Sequence, residues 1–323
     1  MEPSTATSER SRAEQRALSE RTVCGAFQAT AADHGDRVAI RTKGDEMSFT
    51  WSEYAERVRA TAGGLAGLGL SRGDAMAIML VNRPEFHVVD AAATHLGATP
   101  FSVYNTYTPE QVEYLVEDSQ SRVLVTEKAF LDRAMAVKDR GGIVDHVVVV
   151  DGEGGGAEGL ATLSLAELPE QADAGFDFDA AWRAVEPDDI LTLIYTSGTT
   201  GPPKGVEVMH RNFMAAARSF DRIIQFPDGA RVVSYLPMAH IAERACSHYL
   251  PQVFGFTTTC CPDPRQVVAY LPEVRPNWFF AVPRIWEKAR AALEAGMAAE
   301  QDEQRKQATS WALDVGRRKV RAE

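Results

Sequence analysis

The stretch Leu193–Val206, LIYTSGTTGPPKGV, decides how this 323-residue chain is read. A short apolar run, Ile190–Tyr195, leads into ten positions holding four Ser/Thr residues, three glycines, two prolines and one lysine. Glycine permits backbone shapes that other residues resist. A turn free of bulky side chains can present its N–H groups to an anion. Thr196, Ser197, Thr199 and Thr200 add hydroxyl donors around Gly198 and Gly201, and Lys204 adds a positive charge. Together these groups suit a polyphosphate. The stretch is not a Walker A loop, which reads G-x-x-x-x-G-K-[ST] and passes straight into a helix. Here Pro203 precedes the lysine and Gly205 follows it. Prolines remove donors and stiffen the chain, so the loop is expected to be flexible on its Thr/Gly side and stiff on its Pro side.

Working outward, Thr50–Gly69 (TWSEYAERVRATAGGLAGLG) predicts a helix. Thr50 is the N-cap and Glu53 closes a capping box. Trp51, Tyr54, Val58, Ala62 and Leu65 recur on one face, and Gly67 and Gly69 end the helix. The continuous apolar run Ala75–Val81 reads as a strand buried on both faces. An alanine-rich helix follows over about Pro84–Leu96, and another opens at Thr108, with Pro109 in its first turn and Gln111 closing the box. Arg122–Glu127 and His146–Gly152 read as short strands. The pattern weakens between Asp151 and Asp188, an excursion between two halves of one unit. After the phosphate loop come a helix from about Asn212, strand Arg231–Leu236, helix Glu243–Gly255 and strand Phe256–Cys260. A helix around Arg265–Glu273, strand Asn277–Val282 and a helix from Pro283 complete the run. Strands alternating with helices predict an α/β protein with mostly parallel sheets flanked by helices. Phe279, Phe280 and Trp286 read as core residues.

The net charge of −11, from 45 acidic and 34 basic residues, argues against nucleic-acid binding. The cluster Arg317–Arg321 reads as a solvated helix face. No apolar run approaches the ~18 residues that span a bilayer. The N-terminus has no apolar core of a secretory signal; residues 1–21 are expected to be a polar, disordered tail and 22–323 a folded domain. Cys24, Cys246, Cys260 and Cys261 form no C-x-x-C pattern, which points to a reducing cytoplasm.

Tyr195–Val206 resembles the phosphate-loop signature of the adenylate-forming enzymes: acyl-CoA synthetases, luciferases and peptide-synthetase adenylation domains. Tyr235–Arg244, YLPMAHIAER, resembles that family's next motif, and its LP-x-x-H…ER form is closest to the long-chain fatty acyl-CoA synthetases. Val282–Lys288, VPRIWEK, is similar to the same subgroup. The resemblance runs from about Val23 to Arg290.

It implies the N-terminal domain of the acyl-CoA synthetase and luciferase-like fold. It also implies a two-step reaction: a fatty acid is adenylated by ATP, and CoA then displaces AMP. Thr196, Ser197, Gly198, Thr199, Thr200, Gly201 and Lys204 would hold the β- and γ-phosphates. His240 would lie at the carboxylate and α-phosphate, with Glu243 and Arg244 near the substrate. Mg2+ is expected to bridge the phosphates, although no metal-ligating residue is assigned. The family's Tyr-Gly-x-Thr-Glu motif, its ribose-binding aspartate and the catalytic lysine of its C-terminal domain do not occur before Glu323. The chain is therefore expected to be an incomplete N-terminal part, itself inactive or impaired. Two alternatives stay open: a non-catalytic nucleotide- or acyl-binding fragment, and an enzyme that passes the acyl group to a carrier protein. Peripheral contact with a membrane surface accords with a fatty-acid substrate.

Overall fold

The computed structural model describes residues 12–152, 162–196 and 201–322. Two compact units divide at Trp278 and Phe279. Eleven strands lie among the described residues: β1 Val38–Thr42, β2 Ser48–Thr50, β3 Ala75–Met79, β4 Thr99–Ser102, β5 Val123–Thr126, β6 His146–Val149, β7 Thr162–Ser164, β8 Ile190–Thr196, β9 Lys204–Met209, β10 Arg231–Ser234 and β11 Thr257–Cys260.

They form an all-parallel sheet ordered β4-β3-β5-β6-β7, a second sheet ordered β10-β11-β1-β2, and the antiparallel hairpin β8-β9. In the second sheet only β2 is antiparallel. The apolar runs read as two-faced strands serve two cores. Met76 and Ile78 of β3 pack with Trp51 and Leu65, whereas Ala77 and Met79 pack with Val112 and Leu115. Alternating side chains point to opposite faces of a sheet, so helices must cover both faces. The α/β expectation holds.

The helix Trp51–Gly67 forms with the expected capping box, and Trp51, Tyr54, Val58, Ala62 and Leu65 are all buried. The excursion after Asp151 returns to this helix. A 3₁₀ turn, Leu168–Gln171, lies so close that a Cβ on Gly67 would sit 1.8 Å from the Gln171 carbonyl oxygen. Only glycine permits that approach, so Gly67 is needed for packing as well as for ending the helix.

Three expectations are corrected. The polar tail does not extend to Arg21 among the described residues: a helix spans Arg12–Ser19 and buries Ala17 and Leu18 against the helix Val23–Asp33 and its neighbours. Two apolar residues suffice to dock a charged turn. Asn277–Val282 forms no strand. Asn277 is joined to β10 by two hydrogen bonds, its N–H to the Arg231 carbonyl and the Arg231 N–H to its Oδ1, each at 3.0 Å, and this single residue does not extend into a ladder. Phe280 and Trp286 are exposed rather than core, at 40% and 54%.

The unit Phe279–Glu323 contains two helices, Pro283–Ala299 and Glu303–Ala322. Among the described residues, no helix is long and apolar enough to cross a membrane.

Candidate functional site

The phosphate-loop stretch is flanked by the two strands of an antiparallel hairpin, β8 and β9. β8 runs beside β4, where the Thr99 hydroxyl donates to the Ile190 carbonyl at 3.1 Å and the Thr192 hydroxyl to the Pro100 carbonyl at 2.8 Å. β9 then returns antiparallel, pairing Tyr195 with Gly205 and Thr196 with Lys204. The sequence reading missed this second strand: Lys204 begins β9, and the helix expected from about Asn212 forms directly after it, from His210. The alternation Lys-Gly-Val-Glu-Val after a Gly/Pro turn carried the hairpin signal, but the phosphate-loop reading hid it. The packing is close, since a Cβ on Gly205 would lie 3.3 Å from the Tyr195 ring.

Thr196 and Lys204 end the two strands, both exposed, and Gly201 has a φ of +99° that glycine tolerates. Ser197, Gly198, Thr199 and Thr200 lie outside the described residues.

Thr196 and His240 line the same cleft, of about 430 Å³. Its walls are Tyr104, Thr106 and Tyr107 after β4, Ile194 and Tyr195 of β8, and Ala239 and Ile241 around the histidine. Arg133 holds the first wall by donating to the Asn105 and Tyr107 carbonyls. His240 is exposed and caps a short helical turn, its Nδ1 accepting the Ala242 N–H at 3.2 Å. A backbone donor on Nδ1 leaves the ring proton of the neutral imidazole on Nε2, where it can donate to a ligand oxygen.

Glu243 and Arg244 do not line this cleft. Both are buried, 2% and 0% exposed. Arg244 donates to Ser102 Oγ at 2.7 Å, to the Pro100 carbonyl at 3.2 Å and to the Asp90 carboxylate. His248 Nε2 bonds the other Asp90 oxygen at 2.8 Å, and its Nδ1 faces His87 Nδ1 at 2.9 Å. A carboxylate on Nε2 requires N–H there, so His248 Nδ1 accepts from His87 Nδ1–H. Burial first, then the neighbouring His248 ring and the Arg244 charge, hold His87 neutral, well below the ordinary imidazole range.

Glu243 accepts from the Tyr235 N–H at 3.0 Å and the Ser247 hydroxyl at 2.5 Å. Burial pushes its carboxyl up to about 7, and the hydrogen bonds only partly offset this. The segment then winds as a π-helix, Arg244–Tyr249, ahead of Pro251. Pro251 has no N–H to give the Ser247 carbonyl four residues back; the Thr258 hydroxyl supplies that bond at 3.2 Å. The turn presenting His240 is thus fixed from below by two charged side chains. The sequence reading expected both near the substrate; Arg244's burial was not legible because its partners Asp90, Pro100 and Ser102 are remote in the chain.

Among the described residues, no group of three His, Cys, Asp or Glu side chains could hold a metal ion.

The sequence profile of the AMP-binding enzymes matches residues 27–317. A putative fatty-acid–CoA ligase, fadD11, of Mycobacterium tuberculosis is 48% identical over 162 residues, which make up 50% of this chain and 28% of the relative. The long-chain-fatty-acid–CoA ligase ACSBG2 of Xenopus laevis is 31% identical over 305 residues, 90% of this chain and 41% of the relative. The chain thus spans well under half the length of these ligases. The inhibitor-bound N-terminal domain of FACL13 from M. tuberculosis superposes with a TM-score of 0.71 at 25% identity, covering 84% of this chain and 65% of that one. Hairpin, cleft and profile agree: the chain belongs to the AMP-binding enzyme family and has the fold of the N-terminal domain of adenylate-forming enzymes.

Proposed function

We propose that the chain carries the ATP- and carboxylate-binding part of a long-chain fatty acid–CoA ligase. The observation that carries this reading is the shared cleft of Thr196 and His240, with Thr196 at the end of β8 that pairs with Lys204. In the proposed reaction a carboxylate oxygen attacks the α-phosphorus of ATP, the bond to the β-phosphate breaks, and pyrophosphate leaves with that electron pair. CoA sulfur then attacks the acyl carbon, AMP departs, and the thiol proton passes to solvent.

Adenylyl transfer needs mainly positioning and charge stabilisation, which donors and one cation can supply. His240 Nε2–H would donate to the carboxylate or α-phosphate oxygen as charge redistributes there. Thr196 and Lys204 would hold the outer phosphates, and the Lys204 charge would oppose the charge gathering on pyrophosphate. Ser197, Gly198, Thr199, Thr200 and Gly201 would complete the phosphate grip. Glu243 and Arg244 act beneath, as positioning residues for the His240 turn. The four cysteines are free, consistent with the cytoplasmic location we propose.

The test is AMP formation from ATP with palmitate, with and without CoA. Palmitate-dependent AMP release that rises with CoA supports the ligase. Trapped palmitoyl-AMP without CoA stimulation favours transfer to a carrier protein. ATP binding without palmitate-dependent chemistry leaves a binding fragment.

A further inference from the structure

The hairpin is a two-stranded ribbon, which by itself is marginally stable in water. Its outer strand, β9, is exposed from Lys204 to Glu207, yet it must hold Lys204 steady opposite Thr196. The helix Pro109–Asp118 supplies the missing support. Tyr114 reaches the returning strand, its hydroxyl donating to the Pro203 carbonyl at 2.9 Å. Asp118 reaches the outgoing strand, accepting the Tyr195 hydroxyl at 2.8 Å. Residues four apart lie on the same helix face, and each contact falls one residue from a strand end, Pro203 before Lys204 and Tyr195 before Thr196.

The helix is itself well fixed. It carries a Thr108–Gln111 capping box and buries Val112, Leu115 and Val116. Arg140 pairs with both Glu110 and Glu113, at 2.5 and 2.7 Å. The loop leading into it supplies Tyr104, Thr106 and Tyr107 to the cleft.

We propose that Tyr114 and Asp118 are positioning residues that brace the two stems of the phosphate hairpin from one helix face and set the separation of Thr196 and Lys204 for a nucleoside triphosphate. Neither residue touches nucleotide. The inference rests on the polyphosphate reading of the hairpin given above. Because AMP lacks the β- and γ-phosphates, a displaced hairpin weakens ATP selectively, whereas general loosening of the fold weakens both nucleotides.

Tyr114→Phe removes one half-buried hydroxyl and keeps the ring, and Asp118→Ala removes the second brace. The test is calorimetric titration of the 323-residue chain with ATP and with AMP, beside amide hydrogen exchange of the segment Lys204–Val206. Tyr114→Phe is expected to weaken ATP about fivefold, the worth of one neutral hydrogen bond. AMP stays within about twofold, stem exchange accelerates, and adding Asp118→Ala weakens ATP further. Unchanged stem exchange, or equal weakening of ATP and AMP, overturns the brace. The two readings fail separately. A wild-type chain that does not prefer ATP to AMP defeats the polyphosphate reading, and the brace then stands or falls on the exchange rates alone.

Discussion

Glu243→Gln isolates the cost of the carboxyl group buried beneath the His240 turn. Glu243 is 2% exposed, and burial moves its carboxyl from 4.5 to about 7. Each pH unit of that gap corresponds to 1.36 kcal/mol, so the full gap is worth roughly 3 kcal/mol. Below pH 4.5 the group is neutral in both folded and unfolded chains and costs nothing. Between 4.5 and 7 the unfolded chain ionises while the folded chain holds the proton, so stability falls as pH rises. Above 7 the folded carboxylate is ionised too, and the loss levels off. Gln keeps the Oε1 acceptor used by the Tyr235 N–H and the Ser247 hydroxyl but never ionises. Urea unfolding at pH 4.5 and pH 8 reads the difference. The Gln chain should match the wild type at pH 4.5 and exceed it by about 3 kcal/mol at pH 8. An equal difference at both values, or a less stable Gln chain at pH 8, would refute burial as the cause.

Arg244→Met leaves the fully buried Asp90 without its guanidinium and should cost about 3–5 kcal/mol in urea unfolding; Arg244→Lys should recover part of the loss. Gly67→Ala drives a methyl into the Gln171 carbonyl and should lower stability by about 1–3 kcal/mol, seen as a lower midpoint in thermal unfolding. His240→Ala removes an exposed side chain and its cap on the Ala242 N–H, and should cost about 1 kcal/mol in unfolding. The same variant should cut palmitate-dependent AMP formation by about 100-fold, the scale of losing one donor to developing charge.

Local signals read correctly from sequence. The Thr50–Glu53 and Thr108–Gln111 capping boxes are each complete within four residues, and both form as expected. The two-faced strand Ala75–Met79 was legible because burial on both sides leaves a continuous apolar run. Signals that depend on a remote partner were not legible. Asn277–Val282 had strand composition, but nothing in its own sequence reveals whether a ladder partner is present. Arg244 was expected near the substrate, and its buried role shows only once Asp90, 154 residues earlier, is brought beside the guanidinium. Tyr114 and Asp118 gave no sign of their role, because their contacts with Pro203 and Tyr195 exist only once the hairpin lies against their helix. Lys204 stood out in the sequence for its charge beside a glycine-rich stretch, but its place on a strand opposite Thr196 was not legible, because it depends on pairing with β8.

The central claim is that the β8-β9 hairpin grips a polyphosphate through Lys204. Calorimetric titration of ATP into the wild-type chain and into Lys204→Ala tests it most directly. The wild type should bind ATP, and the variant should bind it about 10- to 100-fold more weakly, the worth of a hydrogen bond to a charged group. AMP affinity should not change. Equal ATP affinity in the two chains would contradict the claim.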